Sequence, residues 1–151
     1  MMKQIIREQY QSKLAQLIDI KKIIRPQEGW VRTLRKGLGM SGPQLAKRLG
    51  MSKSQASQME RMEVEDRITL KQLRRVADSL DCDLMYALVP RKPIENMLRD
   101  RAREKAQQLV SKTDVQMKLE AQQLSNEELE VQIEMETERL LREMPRNLWE
   151  E

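Results

Sequence analysis

The predicted architecture rests on residues 42–61, whose sequence is GPQLAKRLGMSKSQASQMER. Apolar residues recur at helical spacing on both sides of Gly50, which predicts two short helices joined by a tight turn. Gly50 supplies the positive φ that commonly ends a helix, and Ser52 is placed to cap the second helix. Ala46 and Ala56 are small enough for the two backbones to approach closely where the helices cross.

The outward side of the second helix carries hydrogen-bonding side chains and one cation. This set suits the donors and acceptors of the major groove of duplex DNA. We therefore predict contacts to base edges from the following residues: Lys53, Ser54, Gln55 and Gln58. The alternative is an ordinary helical hairpin with a solvated polar face, because two helices joined by a turn are a common motif.

A further helix is predicted to begin near Gly29. Its apolar side is formed by Trp30, Val31, Leu34 and Leu38. Its basic side is either in contact with DNA phosphates or merely solvated. The predicted phosphate contacts, taken from this helix and the two that follow it, are Arg32, Arg35, Lys36, Ser41, Gln44, Lys47, Ser57 and Arg61.

The composition favours an almost wholly helical protein. Of the 151 residues, 39% are hydrophobic and 34% are charged, whereas only five are Gly and five are Pro. Such a composition is typical of helices with a few sharp boundaries. No apolar run approaches the roughly 18 residues that span a bilayer, and the first residues lack the apolar region of a signal peptide. We therefore expect a soluble, cytoplasmic protein.

Several classes of function lack the residues they need. The chain has no His and a single Cys, so zinc sites, His-based catalysis and an intramolecular disulfide have almost nothing to be built from. Cys82 lies between two aspartates and is interpreted as a small buried hydrophobe rather than a reactive thiol. No phosphate-binding loop or dinucleotide fingerprint is found. We expect neither an enzyme nor a cofactor or metal.

The charge is distributed unevenly along the chain. Residues 1–92 carry 19 Lys and Arg against 10 Asp and Glu, a net of +9, whereas residues 93–151 carry 9 against 14, a net of −5. A basic half that contains two helices and a turn, followed by an acidic half, is typical of a nucleic-acid binder with a separate interaction arm. The acidic half is expected to face away from DNA.

Two further segments, residues 3–24 and residues 84–90, are candidates for contacts between copies of the chain. Residues 3–24 have an apolar stripe at helical spacing, which either packs on the domain or pairs with a second copy. Residues 62–67 are predicted to form an acidic loop, after which Thr69 caps another helix. Residues 84–90 are short, apolar and end at Pro90, which favours a strand. Because a lone strand needs a partner, we hypothesise pairing across a homodimer through Leu84, Tyr86 and Leu88.

The last third of the chain is predicted to form two helices. The first has apolar or small residues at a spacing of three or four, namely Leu98, Ala102, Ala106, Leu109, Thr113, Met117 and Leu124. Ser125 and Glu128 match a capping box that opens the second helix, which Pro145 closes. The acidic side of this helix is most simply a solvated face, formed by Glu130, Glu134, Glu136 and Glu138. Trp149 either anchors a partner or packs back on Met144 or Leu148.

The spacing Leu-Ala-x-x-Leu-Gly-Met-Ser at residues 45–52 resembles the helix-turn-helix of the Xre/Cro-repressor family of DNA-binding proteins. Two positions depart from that family. Gly42 stands where Gln is usual, and Gln58 stands where Arg is frequent. The resemblance implies an all-α fold in the main, with a lambda-repressor-like domain and one short C-terminal strand. This domain is flanked by an N-terminal helix and a two-helix arm.

The similarity extends over nearly the whole chain. GWVR at 29–32, GMSG at 39–42, ITLKQLRR at 68–75, DCDLMYALVP at 81–90 and MPRNLWEE at 144–151 are similar to the family called mobile mystery protein A. That family implies a helix-turn-helix protein encoded beside a Fic-domain protein, in a module like a toxin–antitoxin pair. The Ser/Thr-x-x-x-Glu-Gly/Asn motif of the well-known Fic antitoxins is missing from this sequence, so restraint of a Fic partner would use another contact.

The sequence thus predicts three regions. These are an N-terminal helix and linker (1–28), a helix-turn-helix DNA-binding domain (29–91) and an acidic helical arm for dimer or partner contacts (92–151). The first interpretation is a dimeric, sequence-specific transcriptional regulator, an autorepressor that binds operator DNA. The alternative is an antitoxin-like protein that restrains a Fic-domain enzyme and binds DNA secondarily. A third possibility is an architectural DNA binder without sequence preference.

Overall fold

The computed structural model describes the backbone of residues 2–119 and 125–151, and the side chains of residues 2–113 and 125–151. The chain divides into two compact units, which we describe separately. The helix-turn-helix unit comprises residues 16–89, and the arm unit comprises residues 1–15 together with 90–151. Among the described helices, none combines the length and the apolar character needed to cross a membrane.

The described helices follow one another in the order α1 (Met2–Ala15), a 3₁₀ helix (Gln16–Lys22), α2 (Trp30–Gly37), α3 (Gly42–Leu49), α4 (Lys53–Val64), α5 (Leu70–Ser79), α6 (Ile94–Leu119) and α7 (Asn126–Glu143). The predicted single helix over residues 3–24 is therefore an α-helix followed by a 3₁₀ helix. Neither of these two helices contains a buried residue, and pairing of this segment with a second copy stays a prediction.

Helices α2 to α5 enclose one apolar core. Its buried members come from all four helices and the residue that caps α5, and they are Val31, Leu45, Leu49, Met59, Val76 and Leu80. Cys82 packs half-buried against this cluster. Trp30 and Leu38, predicted on the apolar side of α2, are exposed instead. Trp30 is the first residue of the helix and Leu38 lies just beyond its end.

Capping boxes open the three consecutive helices α3, α4 and α5. In each, the hydroxyl of the residue before the helix accepts the amide N–H of a Gln three residues on, and that Gln side chain accepts the N–H of the capping residue. The pairs are Ser41 with Gln44, Ser52 with Gln55 and Thr69 with Gln72. The predicted caps at Ser52 and Thr69 are confirmed.

The acidic loop predicted over residues 62–67 is partly wrong. Helix α4 continues to Val64, and Glu63 is only 5% exposed, on the inner face of the helix. The chain turns only at Glu65 and Asp66, where Asp66 takes a left-handed φ of 58°. The burial of Glu63 could not be predicted from the cluster of acidic residues around it, because that burial depends on a partner in α2.

The strand predicted over residues 84–90 is wrong for the chain by itself, since residues 82–90 form neither helix nor strand. The physical reason is that the segment has no partner strand among the described residues, which is also the basis of the dimer hypothesis. A strand requires a second strand to exchange N–H and C=O hydrogen bonds, and none lies beside this segment in the described part of the chain. The pairing residues Leu84, Tyr86 and Leu88 therefore have no hydrogen-bonded neighbour here.

In the arm unit, α6 packs along α7 as a helical hairpin. Its buried apolar residues are Ala102, Ala106, Leu140 and Leu148. Small residues on α6 allow close approach of the two helices, as their predicted spacing suggested, although Leu109 is partly exposed and Val110 is buried in its place. The side chains of Met117 and Leu124, also predicted on the apolar stripe, lie outside the described residues.

The predicted boundaries of α7 are largely confirmed. Ser125 accepts the N–H of Glu128, whose carboxylate accepts the N–H of Ser125, so the capping box is formed. The helix ends at Glu143, and Met144 follows in a left-handed conformation with φ 44°. Pro145 comes next and cannot continue a helix.

Candidate nucleic-acid interface

The corner between α3 and α4 is tight because its residues are small or conformationally free. Gly50 has φ 65° and ψ 33°, a left-handed conformation in which other residues are strained. Its N–H donates to the carbonyl of Lys47, and the N–H of Met51 donates to the carbonyl of Ala46. Ala46 and Ala56 are 3% and 2% exposed, as the predicted crossing of the two helices requires.

Helix α4 has two different sides. Its inner side is buried through Ala56, Met59 and Glu63. Its outer side is exposed at every position for which we predict a base contact, and also at two predicted phosphate contacts, Ser57 and Arg61. The polar residues therefore lie on an accessible surface, as insertion of a helix into a DNA groove requires.

The side-chain amide of Gln55 takes part in the capping box of α4 through its oxygen. Its Oε1 accepts the N–H of Ser52 at 2.9 Å, while the side chain as a whole is exposed. One lone pair of Oε1 is therefore occupied by the cap, and the other can still accept. Nε2 can donate to N7 or O6 of guanine, O4 of thymine, N7 of adenine or a phosphate oxygen.

The cations near α4 differ in how far their charge is already balanced. No carboxylate of the described residues lies within 4.0 Å of Lys53, Arg61 or Lys47, and all three are exposed. Lys36 contacts Glu28 at 2.8 Å, and Arg32 lies 3.9 Å from the same carboxylate. Lys53 and Arg61 thus carry unbalanced charge on the outer side of α4.

The cations of α2 change the pKa of Glu28. The side-chain hydrogen bond from Lys36 holds the pKa of the Glu28 carboxylate below its usual value, and the nearby charges of Lys36 and Arg32 act in the same direction. Glu28 is consequently ionised at neutral pH. Because it balances part of the charge of α2, this helix presents less positive charge than its three basic residues suggest.

Arg35 lies inside the helix-turn-helix unit rather than at its surface. Its guanidinium contacts Glu60 of α4 at 2.6 Å, with both side chains only 13% exposed, and also donates to the carbonyl of Met40 at 3.0 Å. The hydrogen bond to Glu60 raises the pKa of Arg35 above its ordinary value. Arg35 therefore holds α4 against α2, and its predicted phosphate contact stays a prediction.

The remaining predicted phosphate contacts lie at or near the start of α3. Ser41 and Gln44 form the capping box of this helix, and both are exposed. The positive end of the helix dipole at such a position suits an anion. A groove of about 810 Å³ lies between α2, the start of α3 and α4, and the cations that line it include Arg32, Lys53 and Arg61.

Glu63 fixes α4 to the start of α2, and the sequence did not indicate this role. Its two carboxylate oxygens accept the N–H groups of Trp30 at 2.8 Å and Val31 at 2.9 Å, the first two of α2. Gly29 precedes α2 with φ 84° and has no side chain with which to cap it. A Cβ atom at Gly29 would lie 2.8 Å from Glu63 Oε1. The glycine before α2 was the one available signal, but it did not identify the partner.

Comparison with known proteins gives one match. Residues 31–86, from α2 to the segment after α5, match the family described as Helix-turn-helix. No curated protein and no solved structure matches the chain. The match covers the exposed side of α4 and the whole core beneath it. The chain therefore contains an Xre/Cro-like helix-turn-helix domain, and it is in general terms a DNA-binding helix-turn-helix regulator.

Proposed function

We propose that this protein is a sequence-specific transcriptional regulator that binds operator DNA as a dimer and represses its own promoter. The observation that carries this proposal is the outer side of α4. It combines donors and acceptors at Ser54, Gln55 and Gln58 with the unbalanced charge of Lys53 and Arg61. The proposal treats the chain as a binding protein rather than an enzyme.

The rigid support of α4 favours base recognition over loose attraction to DNA. A recognition helix discriminates base pairs only when its side chains are held at fixed positions in the groove. Here α4 is fixed to α2 by a buried carboxylate and by a nearly buried ion pair, both from its inner side. Its outer side takes no part in these contacts, so it remains available to DNA.

The first test is the affinity of the purified chain for DNA from upstream of its own coding sequence, compared with random duplex. Anisotropy titrations over a range of salt concentrations give both the affinity ratio and the number of phosphates contacted. We expect tighter binding to the upstream DNA and a log–log salt slope of about −0.9 per neutralised phosphate. Equal affinity for both duplexes would contradict base recognition and favour an architectural DNA binder.

A matched pair of variants tests whether Gln55 recognises bases. Gln55→Ala and Gln72→Ala remove the same kind of capping interaction, from α4 and α5 respectively. Loss of a base contact costs about 1–3 kcal/mol at one operator position. We expect that loss, with relaxed specificity there, for Gln55→Ala alone. An equal loss on specific and random duplex would show that Gln55 does not recognise bases.

A second function, restraint of a Fic-domain partner, is supported by the resemblance to mobile mystery protein A and by one feature of the arm unit. Val131 and Met135, one turn apart on α7, are 59% and 68% exposed. Three of the four glutamates on the predicted acidic side of α7 cannot provide the attraction to a basic partner, because Arg99 and Arg103 of α6 already balance Glu130, Glu134 and Glu138. A partner would therefore dock on the apolar residues.

The test of this second function is co-purification with the product of the neighbouring gene. Val131→Asp with Met135→Asp should abolish the complex and leave the affinity for upstream DNA unchanged, because both residues lie in the arm unit. Ile5→Asp with Ile6→Asp, exposed positions of α1, serve as the control. Retention of the complex by the α7 variant would contradict docking on this surface.

A further inference from the structure

Residues 83–89 expose both apolar side chains and unpaired backbone. Met85, Tyr86 and Leu88 are 84%, 64% and 88% exposed. Within the described part of the chain, no hydrogen bond involves an N–H or C=O group of residues 83–89. Unpaired backbone along an apolar segment is the usual template for addition of another strand.

The segment is complementary to itself. In an extended backbone Leu84, Tyr86 and Leu88 lie on one side and alternate with Met85 and Ala87 on the other. If two such segments run antiparallel about a two-fold axis at Tyr86, Leu84 of each copy lies opposite Leu88 of the other. The same large apolar residues then meet on the same side of the two-stranded sheet.

The charges next to the segment favour the antiparallel direction. Asp81 and Asp83 precede it, and Arg91 and Lys92 follow it. Antiparallel pairing places the acidic start of one copy beside the basic end of the other. Parallel pairing would place like charges beside each other at both ends, which is destabilising.

We propose that residues 84–88 form an antiparallel two-stranded sheet with the same residues of a second copy, with Tyr86 on the two-fold axis. This inference deepens the proposed function, which requires a dimer, by assigning the dimer contact to this segment. A two-fold axis between copies matches the pseudo-palindromic half-sites that dimeric helix-turn-helix proteins bind. Since a two-stranded sheet alone is only marginally stable, the dimer is expected to dissociate on dilution.

Disulfide cross-linking distinguishes the possible arrangements. Cys82 is first replaced by Ser, and Leu84→Cys, Tyr86→Cys or Leu88→Cys is then introduced singly. Directly opposed residues in an antiparallel pair have Cα atoms about 4.5–5.5 Å apart, within the range that a disulfide spans. Only Tyr86 lies opposite itself, so only Tyr86→Cys should form a cross-linked dimer under mild oxidation. The double variant Leu84→Cys/Leu88→Cys should also cross-link.

Two outcomes of this experiment overturn the proposal. Parallel, in-register pairing would place each residue opposite its own copy, so all three single variants would cross-link at similar rates. A segment that does not pair would cross-link at none of the positions above the rate of an exposed Cys elsewhere. Tyr10→Cys, at an exposed position in α1, measures that background rate.

The two tyrosines of the chain provide a second, independent test. Tyr86 and Tyr10 are similarly exposed, at 64% and 62%, and neither belongs to an apolar core. Tyr86→Asp places two like charges opposite each other on the axis. Light scattering at high protein concentration should give the mass of a dimer for the unmodified chain and for Tyr10→Asp, and half that mass for Tyr86→Asp. Dissociation by Tyr10→Asp alone would assign the dimer contact to α1 and overturn the inference.

The same variants separate this inference from the proposed function. Monomeric Tyr86→Asp should bind upstream DNA at least tenfold more weakly but retain a preference over random duplex, because α4 is unchanged. If the unmodified chain lacks that preference although it is a dimer, the proposed function fails and the dimer contact stands. If it has the preference but Tyr86→Asp leaves its mass unchanged, the dimer contact fails alone.

Discussion

The helix-turn-helix unit and the arm unit each contain one buried charged side chain, and the two have opposite signs. In the helix-turn-helix unit Glu63 is 5% exposed and accepts two backbone N–H groups at the start of α2. In the arm unit Arg101 is 6% exposed and donates to the carbonyls of Leu148 and Glu150, both at 2.7 Å. Among the described residues no other charged side chain is buried.

The comparison explains what each unit presents to its surroundings. The helix-turn-helix unit uses carboxylates inside, Glu63 and Glu60. On the outer side of α4, Lys53 and Arg61 have no carboxylate partner among the residues that the structure describes. The arm unit does the reverse, because Arg101 is buried and other arginines balance the glutamates of α7. The outer side of α4 is therefore positively charged, whereas arginines balance the glutamates of α7. The net charges of the two halves of the chain, +9 and −5, indicate the first of these facts but not the second.

The largest effect is expected from removal of the buried carboxylate. Glu63→Ala leaves the N–H groups of Trp30 and Val31 without an acceptor, and each buried, unsatisfied donor costs about 1–3 kcal/mol. We expect a loss of roughly 2–4 kcal/mol in the free energy of unfolding of the helix-turn-helix unit. In a Trp149→Phe background, urea unfolding followed by the fluorescence of Trp30 reports on this unit.

Glu65→Ala is the matched control for this loss, because Glu65 is exposed and contacts only Arg67 at the surface. It should change the free energy of unfolding by less than about 0.5 kcal/mol. A similarly small change for Glu63→Ala would show that water replaces the carboxylate at the start of α2. The distinction drawn between the interior and the surface of this unit would then be wrong.

A smaller loss is expected from the buried cation of the arm unit. Arg101→Met keeps the length of the side chain but leaves the buried carbonyl of Leu148 unpaired, and it removes the cation that lies 5.7 Å from the ring of Trp149. We expect a loss of about 1–2 kcal/mol in the stability of the docked C-terminus. The carbonyl of Glu150 can be hydrated instead, so it adds little.

The measurement for Arg101→Met uses a Trp30→Phe background, in which Trp149 is the only tryptophan and can be excited selectively at a wavelength at which tyrosine absorbs little. The emission maximum of Trp149 should shift. The backbone N–H groups near Trp149 should lose protection from hydrogen exchange before the rest of the arm unit unfolds. Arg146→Met, an exposed arginine beside the same segment, is the control. An equal effect of the two substitutions would mean that Arg101 does not hold the C-terminus.

Both buried charges mark the limit of prediction from the sequence. The corner at Gly50 and the caps at Ser52, Thr69 and Ser125 were predicted because each depends on residues within four positions. The roles of Glu63 and Arg101 depend on partners 32 and 47 residues away. A charged residue has the same local pattern whether it is solvated or buried against backbone, so only the tertiary structure separates the two.

The same limit applies to the candidate site. The exposed side of α4 follows from helical periodicity and could be predicted. The use of Arg35 inside the unit, and of Gln55 Oε1 in a capping box, depends on the partners that each side chain finds. The sequence therefore indicated which helix faces outward, whereas the structure was needed to determine which of its atoms remain free.

A third prediction exchanges the capping residues of the two units. Gln55 closes the box of α4, and Glu128 closes the corresponding box of α7. Gln55→Glu keeps an acceptor for the N–H of Ser52 and a favourable charge at the helix N-terminus. It also places a negative charge beside the phosphates of bound DNA, so we expect about a tenfold loss of affinity, or roughly 1.4 kcal/mol, without loss of stability.

Glu128→Gln is the reciprocal exchange and should leave DNA affinity unchanged, because it lies in the arm unit. Anisotropy titrations with upstream DNA, together with thermal unfolding of both variants, provide the comparison. An unchanged affinity for Gln55→Glu would place the start of α4 away from the phosphates. A large loss of stability would instead show that the fold requires the neutral amide. A loss of DNA affinity would then not be evidence of repulsion between the introduced carboxylate and the phosphates.

The smallest effect is expected from the exposed ion pairs of the arm unit, which lie between α6 and α7 and within α7. The hydrogen bond from Arg99 lowers the pKa of Glu138, and the hydrogen bond from Arg139 lowers the pKa of Glu136. A carboxylate with a lowered pKa stabilises the fold above its unfolded pKa, and this contribution is lost as the pH falls through the folded value. The stability of the arm unit should therefore decline slightly below about pH 4.5.

Arg99→Gln should remove the part of that pH dependence that comes from Glu138, by breaking the contact of 2.7 Å between Arg99 and Glu138. The part that comes from Glu136 and Arg139 should remain. Because these side chains are exposed, added salt should also weaken the pairs, and the total effect should stay below that of Arg101→Met. Unfolding monitored through Trp149 between pH 3 and pH 7, at low and high salt, measures both dependences. A pH dependence as large in Arg99→Gln as in the unmodified chain would show that the ion pair with Glu138 contributes nothing to stability. The carboxylate of Glu138 would then be available to attract a basic partner, as the acidic sequence of the arm first suggested.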